Sequence, residues 1–233
     1  MLITLSFGVL SYPLILLNLK TYEQSTGQNA LLFSRVAERV YEKTGISIAL
    51  AAQALDIQAL VDASEIPVFS QHIDPVYPGR NTGHILPEAV AESGCYGTLL
   101  NHSEHQIPLD VIEMSIKRAR EVDLFTCVCA DTIDTAKRIA LLNPDVIAIE
   151  PSELIGSGIS VSKAQPEIVS GAVKGVKSVN SNVTVLCGAG ITNGEDASAA
   201  LDLGARGILV ASGVVKSDDP YESLLDLARS MQR

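Results

Sequence analysis

The sequence predicts an α/β protein of the (β/α)8-barrel class, and three observations carry that expectation. Eight short apolar runs recur along the chain, amphipathic helical patterns separate them, and no linker, charge block or low-complexity tract interrupts the alternation. The runs are LILL (14–17), ISIAL (46–50), PVFS (67–70), YGTLL (96–100), LFTCVC (124–129), DVIAI (145–149), VTVLC (183–187) and GILVA (207–211). They are apolar at consecutive positions rather than alternating, as strands of a parallel sheet covered on both faces should be.

The intervening stretches have helical spacing: NALLFSRVAERVYEKTG, PLDVIEMSIKRARE, TIDTAKRIALL, PEIVSGAVKGVKSV and GEDASAALDLG. Several open on Asp, Thr, Pro or Glu, and two close on Gly45 and Gly204, which are start and stop residues for helices. A doubly wound open sheet is the structural alternative, but the glycine-rich dinucleotide turn it would need after the first strand is missing. With 233 residues, 47% of them apolar, the chain can bury one sizeable core. Residues 13–233 are therefore expected to form one barrel domain, and residues 1–12 an extension of uncertain order.

Charge narrows the partners. Seventeen Lys and Arg against 27 Asp and Glu give a net charge of −10, which would repel nucleic acid and anionic membranes. An anionic small substrate then requires a locally positive pocket built from a few cations and aligned backbone N–H groups. The uncharged opening MLITLSFGVLSYPLILL lacks a basic leader, contains Pro13 and is too short to span a membrane. Four cysteines, Cys95, Cys127, Cys129 and Cys187, are expected to be buried, reduced thiols of a cytoplasmic protein. Cys127 and Cys129 are expected on opposite faces of one strand, with no His or Cys pair beside them to complete a metal site.

In such a barrel the reactive groups gather where strands end at their carboxyl termini. The first strand ends in Asn18, Leu19 and Lys20; the fourth in Asn101, His102, Ser103 and Glu104; the sixth in Glu150 and Pro151. The seventh ends in Gly188, Ala189 and Gly190, and the eighth in Ala211, Ser212 and Gly213. Taken singly, each has a mundane explanation: a solvated acid, a core histidine, a surface lysine, a common glycine turn. Together they bring a base, an electrophile, a cation and two small-residue turns to one face. Apolar walls would desolvate Glu150 and strengthen it as a base. Ser103 and Gln106 have capping-box spacing, which places His102 before a helix start and favours a neutral imidazole, with His105 on the helix face. The segment 151–160, PSELIGSGIS, has the length of a lid.

These residues also carry a family resemblance. Asn18, Leu19 and Lys20, NHSE at 101–104, EPSELIGSG at 150–158, CGAGI at 187–191 and LVASGVVK at 209–216 resemble the triosephosphate isomerase family in its shorter archaeal form. The resemblance runs from about Pro13 to the C-terminus, with the motifs in the family's order. It implies a cofactor-free, metal-free TIM barrel that interconverts glyceraldehyde 3-phosphate and dihydroxyacetone phosphate, in glycolysis and gluconeogenesis. It further implies Glu150 as proton shuttle, His102 as neutral electrophile and Lys20 as electrostatic partner. Asn18 and Leu19 would position substrate, and N–H groups at Ile155, Gly156, Gly190, Ala211 and Ser212 would hold phosphate. His105 and Gln106 depart from the arginine that many members carry there to support Glu104, and Ala211 and Ser212 replace a double glycine. Short helical segments around strands four to six, shared with the archaeal form, imply a homotetramer, or failing that a dimer. The rivals are another phosphate-binding barrel enzyme, such as an aldolase, and a sugar-phosphate-binding protein without turnover. None of the eight runs carries the lysine a Schiff-base aldolase would need.

Overall fold

The structure, a computed structural model, describes residues 10–151 and 165–232. Eight parallel strands close into a barrel in chain order: β1 (Leu14–Asn18), β2 (Ser47–Ala52), β3 (Val68–Ser70), β4 (Gly97–Leu100), β5 (Phe125–Ala130), β6 (Val146–Ile149), β7 (Thr184–Cys187) and β8 (Gly207–Val210). All eight expected runs are strands. Closure is made by β1, which pairs with β2 from Leu14 opposite Ser47 and with β8 from Leu14 opposite Gly207.

Nine α-helices among the described residues surround the barrel: α1 (Ala30–Thr44), α2 (Ile57–Ala63), α3 (Pro87–Glu92), α4 (Leu109–Glu121), α5 (Ile133–Ala140), α6 (Pro166–Val179), α7 (Gly194–Asp202), α8 (Ser212–Val215) and α9 (Pro220–Ser230). Their ends follow local chemistry. Thr132, Asn193 and Asp219 cap α5, α7 and α9, each accepting from a backbone N–H at 3.1 Å. Gly45 ends α1 in the left-handed region, φ 70°, and donates its N–H to Tyr41 O. Of the described helices flanking β4 to β6, α3 with 6 residues and α5 with 8 are short, as expected, whereas α4 with 13 is of ordinary length.

Strand period divides the apolar residues into two cores. Leu14, Leu16, Ala49, Phe69, Leu99, Val146, Ala148, Leu186 and Leu209 fill the barrel. Ile15, Leu17, Ile48, Leu50, Val128, Ile147, Val185 and Ile208 face the helices. Consecutive apolar positions in each run are thus accounted for. Cys127 and Cys129 both belong to the inner core. They do not face opposite ways as expected, because residues two apart on a strand share a face. Leu10 and Tyr12, assigned to the extension, also pack on this inner core.

The expected helix start at Ser103 is absent. Residues 102–105 form a turn closed by His105 N–H donating to His102 O at 2.7 Å, and the following helix begins only at Leu109. Asn101 decides this, since its Oδ1 accepts from Ile107 N–H at 3.0 Å and holds the segment extended up to Pro108. His105 is consequently not on a helix face. Its ring stacks on His72 with centroids 4.5 Å apart. No described helix is long and apolar enough to cross a membrane.

Candidate active site

At the end of β1 the chain turns sharply, with Lys20 in the left-handed region at φ 50°. Two side chains hold this uncommon conformation. Asn18 Oδ1 accepts from Lys20 N–H at 3.0 Å, and Gln71 donates from Nε2 to Lys20 O at 2.9 Å and to Asn18 Oδ1 at 3.3 Å. Leu19 is fully buried and donates its N–H to Ala51 O. Anchored this way, Lys20 extends across the mouth, where its Nζ meets Glu104 Oε1 at 2.8 Å. Glu104 therefore has a cation partner without the arginine that His105 and Gln106 replace.

At the end of β4, Asn101 has φ 56° and donates from Nδ2 to Cys129 O at 2.9 Å, which ties the turn to β5. The buried ring of His102 follows. Its Nδ1 accepts from Glu104 N–H at 3.1 Å, so a neutral ring carries its proton on Nε2, 3.7 Å from Glu150 Oε1. Burial, then the charge of Lys20, push the imidazole down to about 4, against an opposing pull from Glu104. The neutral state expected from a helix dipole is thus produced by burial and a neighbouring ammonium.

Glu150 follows β6 and is 3% exposed. Its N–H is fixed on Ala130 O at 2.7 Å, and space for its side chain comes from Gly188, where a Cβ would lie 2.5 Å from Glu150 Cγ. Burial raises the carboxyl to about 7; the Cys129 thiol and Lys20 pull it down, and Glu104 raises it further. Among the described residues Glu150 Oε2 has no hydrogen-bond partner. A buried carboxylate oxygen without a donor is costly and is common at sites where substrate completes the contacts.

The opposite wall is built by the turns after β7 and β8. Gly190 adopts φ 68°, and the next residues are held by the buried Asp196, which accepts from Thr192 N–H at 3.0 Å and Thr192 Oγ1 at 2.9 Å. Ala211 leads into α8, which begins at Ser212, and Gly213 packs so closely on Ile191 O that a Cβ would lie 2.9 Å away. Asn18, Lys20, Tyr22, His102, Glu150, Gly190, Ala211 and Ser212 line one pocket at the carboxyl ends of the strands. Ile155 and Gly156, with the rest of the expected lid from 152 to 160, lie outside the described residues.

Four supporting residues escaped the sequence reading. Gln71, which directly follows β3, is accessible to the same strand-end rule. Gly188 stood in a recognised turn, but its steric role needs coordinates. The contacts of Cys129 with Glu150 and of Asp196 with Thr192 join residues that no motif connects. Among the described residues no cluster of three or more His, Cys, Asp or Glu could hold a metal ion.

Fold and site are those of a (β/α)8-barrel enzyme, with a buried carboxyl, a buried imidazole and a paired lysine facing two small-residue turns. The family model for triosephosphate isomerase matches residues 13–231. A triosephosphate isomerase of Methanocaldococcus jannaschii is 51% identical over 216 residues, 93% of this chain and 99% of that protein. Those of Methanobrevibacter smithii and Methanosarcina acetivorans are 49% and 52% identical, covering 94% and 93% of this chain and 99% and 98% of theirs. The chain belongs to the triosephosphate isomerase family, a family of isomerases.

Proposed function

We propose that this chain interconverts D-glyceraldehyde 3-phosphate and dihydroxyacetone phosphate, an aldose–ketose isomerisation serving glycolysis and gluconeogenesis in the cytoplasm. The observation that supports it most is that Glu150 Oε2, in a buried carboxylate whose Oε1 lies 3.7 Å from His102 Nε2, has no hydrogen-bond partner among the described residues. Glu150 takes the proton from the carbon alpha to the substrate carbonyl, leaving an enediolate. His102 Nε2–H and the Lys20 ammonium stabilise the oxyanion, the hydroxyl proton passes between the two enediolate oxygens by way of His102 Nε2, and Glu150 returns the carbon-bound proton to the neighbouring carbon. A carboxyl near pH 7 suits both halves of this shuttle, since it is strong enough to accept the proton and weak enough to give it back.

Asn18 and Leu19 position the substrate, while N–H groups at Ile155, Gly156, Gly190, Ala211 and Ser212 hold the phosphate. The chemistry uses side chains alone and calls on no metal or cofactor. Assembly is as a homotetramer, or failing that a dimer.

A coupled assay with glyceraldehyde 3-phosphate, following dihydroxyacetone phosphate beside a Glu150→Gln control, tests the reading. Turnover should fall by about 10²- to 10⁴-fold in the control, the usual scale for loss of a general base. Well-folded wild-type protein that binds phosphate without isomerising it would make this a sugar-phosphate-binding protein instead.

A further inference from the structure

The charges that line the pocket do not favour a dianion. Among the described lining residues Lys20 is the sole Lys or Arg, and its ammonium is already engaged by Glu104 at 2.8 Å. Glu150 adds a carboxyl to the same pocket, and the whole chain carries a net charge of −10. A phosphate monoester brings nearly two negative charges at neutral pH. Backbone N–H groups of the β7 and β8 turns offer partial charges at short range, but they do little for a substrate still approaching. A further source of positive potential at the phosphate side is therefore needed.

Lys216 is placed to supply it. It directly follows α8, with its N–H donating to Ser212 O at 3.1 Å, so it rides on the turn whose other end, Ser212, lines the pocket. Its Nζ lies 4.2 Å from the centroid of the Tyr22 ring, and Tyr22 is itself a wall of the same pocket. The ammonium is thus stationed where the loop after β1, which carries Tyr22, meets the turn after β8. Among the described residues no carboxylate pairs with it. The nearby Asp219 is committed to capping α9 through Glu222 N–H at 3.1 Å. An aromatic face holds an ammonium without neutralising it, so the position is fixed while the charge stays available. An ordinary surface lysine has neither property.

We propose that Lys216, held on Tyr22, is the cation that draws phosphorylated substrate into this pocket and favours its binding. The proposal rests on the triose-phosphate reading for its substrate. It does not touch the proton shuttle, because Lys216 contacts none of Glu150, His102 or Lys20.

The test compares wild type, Lys216→Gln and Lys216→Arg across a series of ionic strengths, with glyceraldehyde 3-phosphate and with unphosphorylated D-glyceraldehyde. For the phosphorylated substrate at low salt, Lys216→Gln should lose about three- to ten-fold in kcat/KM, chiefly through KM, as expected for one charge acting through a partly aqueous gap. Its salt dependence should flatten, Lys216→Arg should restore most of both, and the loss with D-glyceraldehyde should be several-fold smaller. Equal losses with the two substrates would overturn the proposal, because they would mean that Lys216 acts only by supporting Tyr22. An unchanged salt slope would overturn it as well. Calorimetric binding of inorganic phosphate reads the same charge independently of isomerisation: a several-fold weaker Kd in Lys216→Gln supports the proposal, and an unchanged Kd sinks it. Failure of the isomerase reading would appear separately, as wild-type protein without turnover.

Discussion

Glu150 and His102 are shifted in opposite directions, and the shifts have opposite consequences for pH. Burial raises the Glu150 carboxyl from 4.5 to about 7, so the folded protein holds that proton more tightly than the unfolded chain. The stability this group contributes is full below about 4.5 and is lost as pH rises through 7. Glu150→Gln should therefore match wild type in denaturant melts near pH 5 and exceed it by about 3 kcal/mol near pH 8. His102 is lowered from 6.5 to about 4, so its contribution is present at neutral pH and lost as pH falls through that range. In catalysis, the base must be ionised and the imidazole neutral. With D-glyceraldehyde, which has no titrating phosphate, kcat/KM should rise with pH as a single proton leaves near 7 and then level off. A rise complete by about pH 5, with no limb near 7, would mean that substrate meets an already ionised carboxylate.

At the scale of elements, the site depends on what the strand ends leave room for. Gly188 does not need an unusual backbone conformation; it needs an absent side chain, because a Cβ would press on Glu150 Cγ from 2.5 Å. Gly188→Ala should displace the carboxylate by a fraction of an ångström to an ångström and lower kcat by about a hundred-fold. A melt near that of wild type would show that the loss comes from aim rather than from unfolding. Undiminished kcat would mean that Glu150 has another way to fit.

The element scale also explains what could be foreseen. Strand positions follow from runs of apolar residues, which survive in any local reading, and the residues just beyond them can be named from the barrel rule alone. The turn after β4 could not. Ser103 and Gln106 imitate a helix cap, and only the bond from Ile107 N–H to Asn101 Oδ1 shows that the helix waits until Leu109. His102 is held neutral by burial and Lys20, not by the helix dipole that the Ser103–Gln106 spacing suggests. Gln71 illustrates the other limit, since its amide joins β3 to the β1 turn across 51 residues of sequence.

For the whole molecule, the proposed assembly gives the plainest expectation. Light scattering should return about four times the 24.7 kDa chain mass, or twice it for a dimer, and a monomer would exclude both. Leu55, Tyr77, Met114 and Leu141 are large apolar or aromatic side chains exposed on a single chain, so apolar surface remains for such contacts.

The pairing of β1 with β8 sets an order of events in biosynthesis. Leu14 leaves the ribosome well before its partner Gly207 is made. Until then one edge of β1 has backbone donors and acceptors with no permanent neighbour, a surface on which nascent chains can stick to one another. Once β8 arrives the ring has no free edge. The finished fold is protected from strand-to-strand association, and the hazard is confined to the roughly ten to forty seconds before β8 is made.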